Sequence, residues 1–289
     1  MFDGFERGRV ATSGADIAYV RGGSGPPLLL LHGYPQTKAI WDRVAARLAR
    51  EFTVVAADLR GYGDSSKPPG GPDHAAYAKR AMAKDQVELM AALGYGRFHL
   101  AGHDRGGRVG HRLALDHPDR LLRLALLDIA PTRAMYAATD RTIATRYFHW
   151  FFLIQDFDLP ERLIGGDPDR WLDHVFARWG AEPCMLPDAV AEYRRCFGTP
   201  EAIHASCEDY RAAATIDLVH DEADLDKRIE APLLVLWGAK GLVGRMFDVP
   251  AVWRERAVAV RGQAFDCAHY LPEEKPDETA AALRDFFLS

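Results

Sequence analysis

The chain has 289 residues, 48% of them apolar and 27% charged, enough to bury a sizeable core and ordinary for a soluble protein. A formal net charge of −5 with no long basic run argues against nucleic acid as the main partner. No apolar stretch approaches the ~18 residues of a membrane span, so no membrane partner is expected.

The opening residues, MFDGFERGRVATS, carry no apolar signal core, and the expected location is cytoplasmic. Six short apolar runs follow in chain order: Val10–Thr12, Ile17–Val20, Leu28–Leu31, Val54–Ala57, Phe98–Ala101 and Leu124–Leu127. Continuous apolar runs bounded by Gly, Pro or Asp predict strands buried on both faces of a sheet. Ile40–Arg50 and Ala75–Leu93 carry helical periodicity between them. This alternation predicts an α/β fold, a mostly parallel sheet with helices on both faces. The pattern breaks over residues 132–226, which are rich in aromatic residues, arginine and helix formers and show no convincing strand. Two more strands, Leu233–Trp237 and Ala257–Val260, follow it. The expected organisation is therefore a core of residues 1–131 and 227–289, with a helical cap inserted at 132–226 over the carboxyl ends of the strands. Four scattered cysteines (Cys184, Cys196, Cys207, Cys267) form no C-x-x-C pair, so reduced structural thiols and no metal site are expected.

The strongest signal is Gly102-His103-Asp104-Arg105-Gly106-Gly107, between the strand FHLA and the helical pattern Val109–His117. A sharp strand-to-helix turn needs small residues around its central residue, whose side chain is then pushed out at the top of the sheet. That is a nucleophile elbow with Asp104 as the nucleophile. A carboxylate needs no base to attack a saturated carbon, but the ester it forms must be cleaved by water, and that step needs a base. An N-cap aspartate is the plainer alternative, and the flanking glycines count against it.

In the chain order of such sites the histidine follows the last strand. His269, in Cys267-Ala268-His269-Tyr270, fits as the base that deprotonates water. Asp128, at the end of the run LALL, is expected to orient His269, with Asp248 as runner-up, because Ala239-Lys240-Gly241 offers no carboxylate. The loop His32-Gly33-Tyr34-Pro35 is expected to supply the Tyr34 backbone N–H to an oxyanion site, with His32 a buried structural histidine. Gly22-Gly23-Ser24-Gly25 precedes its strand and reads as a turn, not a phosphate loop, and no cofactor is expected.

Together these residues resemble the fluoroacetate (haloacetate) dehalogenases of the α/β-hydrolase superfamily. The matching blocks are HGYPQT at 32–37, DLRGYGDSSKP at 58–68, GHDRGGRVGHRLALDHPDR at 102–120, LLDIAPT at 126–132, HWFFLIQ at 149–155, CEDYRAAATIDLVHDEAD at 207–224 and AHYLPEE around His269. The resemblance implies an α/β-hydrolase fold and Asp104, His269 and Asp128 as nucleophile, base and orienter. It further implies Arg105 and Arg108 as the grip on a substrate carboxylate, His149, Trp150 and Tyr210 as a halide pocket, and Trp179 as another pocket wall. The implied partners are a small halocarboxylate and water, with a homodimer as the implied assembly. Tyr34 stands where Phe is expected. Lys38 stands where His is usual, and its side chain is expected at the surface.

Two arginines beside Asp104 make physical sense, because an anionic substrate meeting an anionic nucleophile in a dry site needs compensating charge. Departing halide needs aimed donors, which an indole N–H, a phenol and an imidazole supply. An epoxide hydrolase with the same Asp–His–Asp machinery is the nearest alternative, using lid tyrosines among Tyr136, Tyr147, Tyr193 and Tyr210 as acids. A non-catalytic hydrolase-fold binding protein is the alternative from another class, and it should lack at least one member of the triad.

Overall fold

The structure is a computed structural model describing residues 1–180 and 184–289. Eight strands form one sheet: β1 (Glu6–Ala11), β2 (Asp16–Gly22), β3 (Pro27–Leu31), β4 (Thr53–Ala57), β5 (Phe98–His103), β6 (Leu121–Leu127), β7 (Leu233–Gly238) and β8 (Val260–Phe265). Their order is β1-β2-β4-β3-β5-β6-β7-β8, with β1 and β2 antiparallel to their neighbours and the remaining pairs parallel. The central strands read as leucine, valine and alanine because helices cover both faces, and Leu28 to Leu31 are all fully buried.

The last strand lies later than expected. Ala257 makes an isolated bridge to Ile229, and the strand begins at Val260 and runs through exposed Arg261, Gly262 and Gln263. Strand β8 is an edge paired only with β7, so it carries solvated residues and lacks the apolar run of a strand buried on both faces. Ile40–Arg50 proves to be a 3-10 turn, Lys38–Trp41, running into helix α1 (Asp42–Leu48). Ala75–Leu93 is likewise a 3-10 turn, Ala75–Tyr77, before α2 (Lys79–Ala92). Helix α3 (Arg105–Asp116) follows β5.

Between β6 and β7 the described residues are helical: α4 (Thr132–Ala137), α5 (Arg141–Arg146), α6 (His149–Phe152), α7 (Leu159–Gly165), α8 (Pro168–Arg178), α9 (Pro187–Phe197), α10 (Pro200–Ala214) and α11 (Ile216–Ala223). No strand occurs there among the described residues, and positions 181–183 of the expected insertion lie outside them. After β7 come α12 (Leu242–Met246) and α13 (Val249–Arg254), and after β8 come α14 (Leu271–Glu274) and α15 (Pro276–Leu288). No described helix is long and apolar enough to cross a membrane.

The connections place the site. From β3 the chain moves to β4 on one side and returns to β5 on the other. The crevice at the carboxyl ends of β3 and β5 is therefore the topological switch point, where ligands bind in open α/β sheets.

Candidate active site

Asp104 sits at the end of β5 with φ 47° and ψ −114°, a conformation that L-residues rarely adopt. The turn closes because Gly102 and Gly106 touch: a Cβ on Gly102 would lie 2.4 Å from the Gly106 carbonyl oxygen, and one on Gly106 would lie 2.5 Å from that of His32. Across the switch point the Tyr34 backbone N–H donates to Asp104 Oδ1 at 2.9 Å, as the oxyanion reading expects. Asp104 is 8% exposed. Burial opposes its charge, but His269, with smaller help from Arg105 and Arg108, holds its carboxyl below the ordinary carboxylate range.

His269 and Asp128 meet as expected. His269 Nδ1 lies 2.6 Å from Asp128 Oδ2, and Asp128 Oδ1 accepts the Gly238 backbone N–H at 3.0 Å. Asp128 itself sits at φ 51°, aimed by this bond and by its own backbone N–H to Leu236. Burial works against a charged His269, yet Asp128 and then Asp104 raise its pKa above the ordinary value. The bond to Asp128 occupies Nδ1 and leaves the other nitrogen, Nε2, outside this pair. Asp248, the runner-up acid, instead caps α13, accepting the Ala251 N–H at 3.1 Å. His32 is structural, as expected: its Nε2 accepts the Leu59 N–H at 3.0 Å, so Nδ1 donates to the Gly33 carbonyl at 2.9 Å.

The two arginines differ. Arg105 is fully buried and forked onto Asp209, with Nε to Oδ2 at 2.8 Å and Nη2 to Oδ1 at 2.7 Å. Arg108, one helical turn after Asp104, donates to neutral oxygens: Nη1 reaches the Ala130 carbonyl at 3.1 Å and Thr132 Oγ1 at 2.9 Å. Burial, then the charge of Arg105, holds its pKa below the usual guanidinium value. Arg105 lies over the Tyr210 ring at 4.2 Å and Arg108 over the Trp150 ring at 4.7 Å. The two expected groups of residues, carboxylate grip and halide pocket, are thus in direct contact.

His149, Trp179, Tyr210 and Tyr34 pack as one aromatic cage. The His149 ring centre is 4.5 Å from that of Trp179, 5.5 Å from Tyr210 and 6.2 Å from Tyr34, on which it stacks. Burial keeps His149 neutral, with a pKa well below its ordinary value. Four buried groups here have no partner among the described residues: Arg105 Nη1, Arg108 Nε, His149 Nδ1 and Trp179 Nε1. Leaving buried polar groups unpaired is costly, and these four lie together around the cage and the two arginines.

Residues outside the expected set also shape the site. Asp209 holds Arg105 and takes bonds from Lys79 and, at 2.6 Å, from the Tyr62 hydroxyl. Thr132 positions Arg108. His103, which burial pushes down to about 3, is neutral and donates from Nε2 to the His269 carbonyl at 2.9 Å. Trp171 donates to the Tyr34 hydroxyl at 2.6 Å, so the Tyr34 hydroxyl ties the loop to α8. The sequence signal for Asp209 and Thr132 was their place inside the matching blocks; Trp171 had none. Lys38 corrects an expectation. It is 4% exposed, not on the surface, and its Nζ pairs with Asp58 at 2.5 Å and Asp64 at 3.2 Å. The side chain at this position faces carboxylates, not water.

A profile described as the α/β hydrolase fold matches residues 26–276, and the chain belongs to the α/β-hydrolase superfamily. The fluoroacetate dehalogenase of Burkholderia sp. is 51% identical over 288 residues, covering 99% of this chain and 95% of that protein. Within the superfamily the chain is accordingly a member of the fluoroacetate (haloacetate) dehalogenase family. The soluble epoxide hydrolase of Corynebacterium sp. (strain C12) is 36% identical over 282 residues, covering 95% of this chain and 94% of that one. A crystal structure of an α/β hydrolase from Nostoc sp. superposes with a TM-score of 0.98 at 58% identity, covering 100% of this chain and 99% of that one.

Proposed function

We propose that the protein hydrolyses haloacetates, converting fluoroacetate or chloroacetate to glycolate and halide. The observation that carries this reading is Arg108, a buried cation with neutral hydrogen-bond partners, one turn from a carboxylate nucleophile. Asp104 is the carboxylate that favours its cation in the resting site, and esterification removes that charge, so a substrate carboxylate supplies the counter-ion through the reaction. An epoxide or an ester has none to offer.

The chemistry runs in two steps. Tyr34 N–H holds Asp104 Oδ1, so Oδ2 attacks the halogen-bearing carbon, the carbon–halogen bond breaks, and halide leaves toward His149, Trp150 and Tyr210. Arg105 and Arg108 meanwhile grip the substrate carboxylate. Next, His269 Nε2 takes a proton from water, and the hydroxide adds to the Asp104 carboxyl carbon. Oδ1 becomes the oxyanion on the Tyr34 N–H. Collapse expels the alkoxide, which takes the proton from His269 and leaves as glycolate, and the Asp104 carboxyl sheds its remaining proton to solvent to restore the carboxylate. The helices of residues 132–226 act as the lid that dries this chamber, over a core formed by 1–131 and 227–289. No cofactor enters the scheme.

A second reading, epoxide opening, draws on one observation. The Tyr136 hydroxyl is buried without a partner, and burial keeps it protonated, so it could donate to an epoxide oxygen. Halide release from fluoroacetate and chloroacetate, with an epoxide assay alongside, separates the two. Halide release that vanishes in Asp104→Ala is the expected result. Epoxide opening with no halide release would overturn the haloacetate reading and leave the arginines structural.

A further inference from the structure

Beside the aromatic cage, α5, α8 and the segments after β7 and β8 line an open cleft of about 380 Å³. His269, Tyr147 and Trp179 line it, and the same side chains pack on the aromatic cage around His149. The Trp179 ring lies 5.5 Å from His269 and 4.5 Å from His149, and Tyr147 lies 5.3 Å from His149. The remaining wall carries four cations: Arg146 and Arg178 at the ends of α5 and α8, and Lys240 and Arg245 from the segment after β7. No carboxylate lines the cleft among the described residues.

The charge is not used up locally. Arg178 Nε donates to the Arg146 carbonyl at 3.0 Å and another of its nitrogens to the Thr145 carbonyl, both neutral acceptors. Arg146 and Arg245 are exposed. Lys240 pairs with Asp266 at 2.8 Å and adds less. Exposed arginines are ordinary on any surface. What is not ordinary is their convergence on an opening that reaches His269, in a chain whose net charge of −5 repels anions elsewhere. A cleft lined by one sign of charge concentrates the opposite ion locally, and a low-dielectric wall sharpens the effect.

We propose that this cleft is the entrance to the active site and that its arginine rim selects small anions, carboxylate substrates in particular, before they meet the catalytic groups. Arg146, Arg178 and Arg245 act on the approach and touch no reacting atom. For its kinetic consequence this inference rests on the haloacetate reading, so the test includes an arm that needs no turnover.

The first arm is quenching of Trp179 fluorescence, isolated as the difference between the wild type and Trp179→Phe. Iodide should quench it roughly threefold more strongly in the wild type than in Arg146→Gln/Arg245→Gln, with the difference disappearing above ~0.5 M salt. Acrylamide, which is neutral, should quench both alike. Equal iodide quenching in both proteins overturns the proposal whether or not the enzyme turns over haloacetate. The second arm is kcat/KM for chloroacetate against ionic strength. It should fall roughly three- to tenfold between ~20 mM and ~500 mM salt in the wild type and stay nearly flat in the double variant. Turnover with the same salt slope in both proteins also overturns the proposal. Charge-sensitive quenching without any halide release leaves the cationic entrance standing and sinks the haloacetate reading alone.

Discussion

In the resting site Asp104 and His269 hold each other's charge. Asp104 is one of the groups that raise the His269 pKa, and His269 leads those that lower the Asp104 pKa. Esterification removes the carboxylate charge, and with it one support for the imidazolium. The His269 pKa therefore drops when a base is needed. The rate of ester hydrolysis should rise with pH through an apparent pKa below that of His269 in the free enzyme. Single-turnover kinetics compared with an NMR titration of the resting protein measures both, and equal values would dismiss the coupling. His269→Asn should stop at the ester, visible by mass spectrometry as a covalent adduct; unmodified protein would sink the two-step scheme. The arginines offer a second test at this scale. Asp209 already neutralises Arg105, so Arg108 supplies the net charge for the carboxylate. Its aim depends on Thr132 Oγ1. Thr132→Val should cost about 1–2 kcal/mol, a roughly five- to thirtyfold rise in KM for chloroacetate, with Thr132→Ser restoring most of it. Failure of serine to rescue would make Thr132 a packing residue.

At the scale of elements, the join between α9, the loop after β3 and α14 runs through one carboxyl. Glu273 accepts from the Gln36 amide at 2.5 Å and from the Tyr193 hydroxyl at 2.9 Å, fully buried between them. Burial pushes it up to about 7. In the unfolded chain it titrates near ~4.3. Between these values the folded state holds more protons, so its contribution is fully present below ~4.3 and is lost as pH rises toward about 7. The loss is on the order of 4 kcal/mol at most. Urea unfolding at pH 5 and pH 8 should show that Glu273→Gln gains on the wild type at the higher pH, and a parallel pH response of the two proteins would assign the titration elsewhere. None of this was legible in the block AHYLPEE, because a glutamate after a catalytic histidine has no local mark of burial. Lys38 failed for the same reason. The turn at Asp104 was legible because everything it needs lies within six residues, and the meeting of His269 with Asp128 because chain order and strand ends locate both. Asp209 was not, since its partner Arg105 stands 104 positions away across the insertion.

Across the whole molecule, the buried ion pairs that fasten residues 132–226 to the rest of the chain run in one sense, and the opposite pair, Arg195 with Asp64, is solvated. Cations on α2 and α3 meet carboxylates on α10 and just beyond, through α11: Lys79 with Asp209 and Asp217, Arg105 with Asp209, and Arg112 with Asp221 at 2.7 Å and Asp224 at 2.5 Å. Arg112 is 3% exposed. Buried ion pairs add little net stability, but removing one partner leaves a buried charge and costs about 3–5 kcal/mol. Such pairs therefore favour one seating of the insertion over all others and penalise its detachment. The apolar core is continuous as well, running from Leu28–Leu31 in the sheet to Trp150, Phe176 and Tyr193 in the insertion. Both facts predict that insertion and core unfold together. The near-ultraviolet circular dichroism contributed by Trp179, taken as the difference from Trp179→Phe, should be lost at the same denaturant concentration as the far-ultraviolet signal of the sheet and helices. Arg112→Met should lower that shared midpoint, by up to about 3 kcal/mol, since Arg80 and Lys227 still reach Asp224. A wild type that loses its aromatic signal first would show a lid able to detach from a folded core, and the charges on α2 and α3 would then be steering contacts rather than fasteners.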